Sequence, residues 1–181
     1  IVHAVGSKEK PIPPLNVVAD MGGGAMSMAL GILAGVYEAR NSGEGQVVDI
    51  SMTEGSAYLA LGIYGMAAVG DYNHERESNF LDGGAHFYRC YETSDEKFVS
   101  IASIEAKFYA ILLDKLGLAG DNTLPPQMDT AQWPAMSEKF AAIFKTKTRD
   151  EWCEIMEGTD ICFSPELTFN DCLLYTSQRQ R

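Results

Sequence analysis

Two acidic side chains stand at positions suited to proton transfer. Asp20 directly precedes Met21-Gly22-Gly23-Gly24 and an apolar run, and Glu105 opens an amphipathic one. A carboxylate held in either place can take or return a proton, and one positioned acid or base typically contributes about 10²–10⁴-fold to a rate. Both also have sufficient structural explanations. Asp20 can cap a helix, and an acid in the first turn of a helix is favoured by the macrodipole by about 0.3–1 kcal/mol. The glycine run carries no Gly-Lys-Ser/Thr and does not fit GxGxxG, so it reads neither as a phosphate loop nor as a dinucleotide fingerprint. By spacing alone it serves close helix packing. His3, His74 and His86 fit no Ser-His-Asp or Cys-His arrangement and are expected on the surface or in loops. Cys90, Cys153, Cys162 and Cys172 form no zinc pattern and are expected to be small buried hydrophobes in a reduced setting. Met21, Met26, Met28, Met52 and Met66 are core filler by default.

The elements that must hold these residues follow from local pattern. Pro11, Pro13 and Pro14 predict an extended linker. Leu15 to Asp20 reads as a short buried segment leading to a turn at the glycines, followed by a helix from Ala25 to Arg40 that stops at Asn41-Ser42-Gly43. Gln46 to Ser51 reads as a strand. A second apolar helix is expected from Thr53 to Val69, and residues 71–80 form a polar connector. Beyond it, Phe87–Glu92 and Lys97–Ser103 alternate as a hairpin closed by Thr93–Glu96. Glu105–Leu118 is an amphipathic helix with Phe108, Ile111, Leu112 and Leu116 on one face. Two more helices are expected near Ala131–Lys145 and Thr148–Glu157, the last with Thr148 as N-cap and Asp150 and Glu151 in its first turn.

The 181 residues carry a formal charge of −11, which opposes binding to nucleic acid or an anionic membrane through bulk charge. Residues Met21 to Tyr37 lack charge, but the run has 17 residues, five of them glycine, and ends at Glu38. A spanning helix wants about 20 strongly apolar residues, so a buried core helix and no membrane span are expected. Both ends look artificial, the chain opening on Ile1 and closing on a non-periodic stretch. Back-translated, Cys172 to Ser177 resembles a transposon adapter of sequencing libraries, so 172–181 are expected to be foreign.

Five ordered motifs carry a resemblance over roughly residues 11–170. Pro14-Leu-Asn-Val-Val-Ala-Asp20-Met-Gly-Gly-Gly24 is the first, and Gly43-Glu-Gly-Gln-Val-Val-Asp49 with Met52-Thr-Glu-Gly55 the second. Asn79-Phe-Leu-Asp-Gly-Gly-Ala85 with Phe87-Tyr88, Ile104-Glu105 with Phe108-Tyr109, and Glu151-Trp-Cys153 with Gly158-Thr-Asp160 complete the set. Together they resemble the α-methylacyl-CoA racemases, within the family III CoA-transferase (CaiB/BaiF) group. His86 departs, standing where the family has proline, and this puts only local loop geometry in doubt.

The resemblance implies an α/β fold: residues 1–50 as the C-terminal part of a Rossmann-like large CoA-binding domain, 51–80 as a linker helix and connector, and 81–171 as a small α+β domain. It implies that Asp20 exchanges a proton with the α-carbon of an acyl-CoA substrate, and that Glu105 pairs with the opposite base, a histidine. That histidine lies farther upstream than the 17 positions separating His3 from Asp20, so it is expected to be missing. Gly22, Gly23, Gly24, Met26, Tyr88 and Ile104 fall at positions near the substrate. A helix start at the glycines would supply N–H donors to an enolate oxygen, and burial beside Met21 and Met26 would raise the Asp20 pKa. No metal or redox cofactor is implied, CoA being part of the substrate. The implied enzyme is an intracellular, interlocked homodimer, cytoplasmic in a bacterium and peroxisomal or mitochondrial in a eukaryote. A CoA transferase, with Asp20 attacking the thioester, is the alternative, and a non-catalytic remnant a third.

Overall fold

The glycine run lies inside a helix rather than in a turn. In the computed structural model, which describes residues 1–172, Val17–Met26 is π-helical and passes without a break into α1, Ser27–Ser42. The chain divides into two compact units, Ile1–Arg76 and a second beginning at Glu77. The division falls within the polar connector.

The first unit is helical. After α1, Gly43 ends the helix in the left-handed conformation at φ 81°, as a glycine past a helix end should. The expected strand at Gln46–Ser51 is not formed. The segment has no regular secondary structure and pairs with no strand among the described residues. Val48 and Ile50 instead meet the glycine face of α1: a Cβ added at Gly31 would lie 2.8 Å from Val48 Cγ1 and 3.3 Å from Ile50 Cδ1. The second apolar helix is two helices, α2 (Met52–Leu59) and α3 (Leu61–Ala68), separated at Ala60. Ser51 caps α2 by accepting from the Glu54 N–H. The opening loop is tied down by Arg76, whose guanidinium donates to the carbonyls of His3, Ser7 and Lys8 at 2.7–3.1 Å.

The π-helical segment crosses α2 through glycine. A Cβ on Gly23 would come within 2.8 Å of Ser56 N and 3.0 Å of Met52 O, and one on Gly55 would strike the Gly23 carbonyl. Backbone meets backbone there, with the Ser56 hydroxyl also 2.8 Å from a Cβ on Gly23. Gly55→Ala is therefore expected to destabilise the protein by about 1–3 kcal/mol, the usual range for forced overpacking. Gly62→Ala, with open space around the added carbon, should be neutral or slightly stabilising. Thermal unfolding of the two variants checks the contrast.

Leu15 to Asp20 are not buried, contrary to expectation: Val18 alone is half-buried, the rest exposed. The helix expected to be a core element is also open, with Met26, Leu30, Leu33 and Tyr37 each at least 66% exposed. The expectation weighed only the uncharged run between Asp20 and Glu38 and began the helix at Ala25. The helix runs through both Asp20 and Glu38. Within its 26 residues, Val17–Ser42, an 18-residue stretch has a mean hydropathy of 1.5, so the helix is long and apolar enough by length and composition to cross a membrane.

The second unit holds the core. Strands β1 (Tyr88–Glu92) and β2 (Phe98–Ala102) form the expected antiparallel hairpin, with Tyr91 opposite Val99 facing inward and Cys90 opposite Ser100 facing out. A third strand, β3 (Phe163–Pro165), pairs antiparallel with β2, giving the order β1-β2-β3. At three residues it was too short to show a period. Helices α4 (Ala106–Lys115), α5 (Trp133–Phe144) and α6 (Arg149–Met156) supply the rest of the core. Tyr109, Leu112 and Leu116 are the buried residues of the α4 stretch, while Phe108 and Ile111 are half-buried. Tyr91 stacks on Phe144 at 4.9 Å, Phe144 meets Trp152 edge-on at 5.1 Å, and Phe87 meets Trp133 at 5.8 Å. Thr148 and Glu151 close a full capping box on α6. The cysteines are not core residues: Cys90, Cys162 and Cys172 are exposed, Cys153 is half-buried, and no disulfide joins them. The remainder of the terminal stretch expected to be foreign, 173–181, lies outside the described residues.

Candidate functional site

Asp20 sits in the first turn of the π-helical segment with its side chain exposed. Residues in π-helical geometry are rare and concentrate at functional sites. The apolar shelter expected from Met21 and Met26 is not formed, as these are 50% and 69% exposed. Nor is the glycine run a helix start: it lies within the helix, so its N–H groups belong to the helical ladder, not to an oxyanion. Gly23 and Gly24 are buried, and their Cα faces turn to Met52 and Ser56 of α2. Their role in this unit is close approach of two helices, which aims the turn carrying Asp20.

Glu105 is the N-cap residue of α4 rather than a member of its first turn, with extended backbone at φ −72°, ψ 137°. Its side chain is exposed and makes no capping bond, while its carbonyl accepts from Phe108 and Tyr109 N–H at 2.9 and 3.0 Å. The residues before it are firmly held. Ser103 N–H donates to Phe87 O, and the Ser103 hydroxyl donates to Ile161 O at 2.5 Å. Neither Asp20 nor Glu105 takes part in an ion pair among the described residues.

The hairpin brings Tyr88 and the Ile104–Glu105 segment together, since Tyr88 pairs with Ala102. Tyr88 and Ile104 are both half-buried. Tyr88, Cys90, Ser100 and Ala102 line an open groove of about 470 Å³ that Glu77 and Gly83 complete. The turn leading into it is ordered by Asp82, whose carboxylate accepts from Ser78, Asn79 and Gly84 N–H at 2.9–3.3 Å. Asp20, Gly22, Gly23, Gly24 and Met26 thus belong to the first unit, and Tyr88, Ile104 and Glu105 to the second.

His86 lies in the turn before β1, as expected of a loop histidine, but it is buried rather than on the surface. It is 1% exposed, Nε2 lies 2.8 Å from the Tyr109 hydroxyl, and its ring packs edge-on against Phe87, Tyr109 and Phe140. Tyr91 donates its hydroxyl proton to the His86 carbonyl at 2.7 Å. Burial disfavours the imidazolium and pushes its pKa from 6.5 down to about 4. With the folded pKa below the unfolded one, the unfolded chain binds the extra proton first as pH falls. Stability from this group is complete above pH 6.5 and declines between pH 6.5 and about 4. The slope is at most about 1.4 kcal/mol per pH unit. His86→Phe should remove that part of the pH dependence, measurable as a flatter stability profile across the window in urea titrations. Neither spacing nor residue type signalled this burial. Asp82 had a local signal in its Asp-Gly turn, whereas Gln127, which holds the Glu105 segment, had none.

A family model described as CoA-transferase family III matches residues 1–181. The chain belongs to that family. It is similar to mouse alpha-methylacyl-CoA racemase, 47% identical over 97% of this chain and 46% of that protein. The human protein of the same name is 42% identical over the same shares. This family III chain therefore spans about half the length of the curated relatives it matches. A CaiB/BaiF family protein from Brucella suis has the same fold, with a TM-score of 0.72 at 18% identity over 100% of this chain and 48% of that one. The mixed α/β architecture is thus that of the CaiB/BaiF fold.

Proposed function

We propose that the chain is part of an enzyme that inverts configuration at the α-carbon of 2-methylacyl-CoA thioesters. One base removes the α-proton and an acid on the opposite face returns it, through an enolate. In this reading Asp20 serves one face. Glu105 pairs with a histidine, supplied from outside these 181 residues, that serves the other. The observation that carries the reading is the 47% and 42% identity to two proteins named alpha-methylacyl-CoA racemase, over nearly the whole chain. It is supported by two exposed carboxylates, each presented from a defined backbone position. The chemistry asks for no redox cofactor and no metal, because the thioester itself acidifies the α-hydrogen and CoA arrives with the substrate. The working form is proposed to be an interlocked homodimer, in which the open apolar face of α1 is covered.

The test uses the enzyme with all the sequence its gene encodes and (R)-2-methylacyl-CoA in deuterated water. Racemisation places deuterium at C2 with no acceptor acid present. The alternative, a CoA transferase with Asp20 as nucleophile, is favoured by the family's description. It leaves C2 unlabelled and turns over only when an acceptor acid is added. Purified residues 1–181 alone are expected to be inactive, one of the two opposed bases being absent, and measurable racemisation by them would overturn that expectation.

A further inference from the structure

We propose that Gln127 is a positioning residue for Glu105, an inference that rests on the reading of Glu105 as part of the proton-transfer pair. Glu105 makes no side-chain capping bond, so its direction is set by the backbone that enters α4. The two peptide carbonyls immediately before it, those of Ser103 and Ile104, both accept from the Gln127 side-chain amide, each at 2.9 Å. A primary amide has two N–H protons, and both are used on this one stretch of chain. Gln127 is itself fixed. Its carbonyl accepts from the Trp133 indole N–H at 2.9 Å, and Pro125-Pro126 stiffen the chain before it. Trp133 is a core residue, 5% exposed. A line of hydrogen bonds therefore runs from the α5 core through Gln127 to the peptide that aims Glu105. Loss of the amide frees the Ile104–Glu105 peptide plane to turn, and the carboxylate moves with it.

Such a role can be told apart from plain structural support. In the proposed reaction the α C–H bond breaks, its electron pair passes into the enolate, and a solvent-derived deuteron is delivered to one face. Wash-in is measured as deuterium on recovered, uninverted (R) or (S) thioester. Inversion rates in the two directions are tied by the equilibrium constant, whereas exchange with return to the same face is not. It therefore reports the two faces separately, and the (R)/(S) ratio is independent of how much enzyme is folded. A displaced Glu105 weakens only the base it supports.

Gln127→Leu in the complete enzyme should slow wash-in from one enantiomer by about 10-fold or more relative to the other, since small misplacements of catalytic groups cost up to about 10²-fold. KM for the acyl-CoA should be unchanged. Trp133→Phe, which removes the indole donor while keeping an aromatic ring, should move the ratio in the same direction by less. It also serves as the measured variant if Gln127→Leu gives no folded protein. An unchanged ratio, or both enantiomers slowed equally, overturns the proposal. Glu105→Gln separates the two layers of inference. If it leaves the ratio unmoved, the reading of Glu105 fails. If it moves the ratio and neither positioning variant does, only the role of Gln127 fails.

Discussion

Asp20→Asn should lower α-proton exchange by the complete enzyme by about 10²–10⁴-fold, the typical contribution of one positioned acid–base group. The substitution keeps the side chain's shape and removes its ability to carry the proton. The fold should be untouched, because Asp20 is exposed and makes no ion pair among the described residues. Exposed changes of this kind stay within about 0.5 kcal/mol. Deuterium incorporation at C2, followed by NMR beside a thermal melt, gives both numbers from one preparation. Exchange at the parent rate in a normally folded variant would remove Asp20 from the mechanism. Simultaneous loss of rate and stability would make it a structural residue.

The largest stability effect is expected at Trp152. Trp152 is 1% exposed, meets Phe144 edge-on at 5.1 Å, and donates its indole N–H to the Phe144 carbonyl at 2.9 Å. The Lys147 ammonium lies 4.9 Å from its ring centre. Trp152→Ala empties the space between α5 and α6 and leaves the Phe144 carbonyl only its 3.5 Å bond from the Lys147 N–H. A loss of about 3–5 kcal/mol is expected, most of the stability of a small unit. Urea unfolding monitored by far-UV circular dichroism would show a much earlier transition. A midpoint close to that of the parent chain would mean that α6 is not held by this core.

The second unit was legible because it follows local rules. Alternation announced β1 and β2, the 3.6-residue period announced α4, and Thr148 with Glu151 announced the start of α6. The family motifs brought Asp20 and Glu105 forward, and their placement differs from expectation in ways that short-range rules do not see. A π-helix has no propensity signature, so Asp20 was expected before a helix and lies within one. The strand expected at Gln46–Ser51 had the right composition, yet strand formation depends on a pairing partner that composition does not supply. The burial of His86 and the grip of Gln127 both depend on residues more than 20 positions away.

The crossing of Gly23 and Gly55 has a consequence for how this chain can vary over time. Where a glycine faces a side chain, as Gly24 faces the Met52 thioether, a larger residue on one side can be offset by a smaller one on the other. Gly23 and Gly55 offer no such exchange, since neither has an atom left to give up. Two-step compensation is closed at that point, and mutational drift must pass around it.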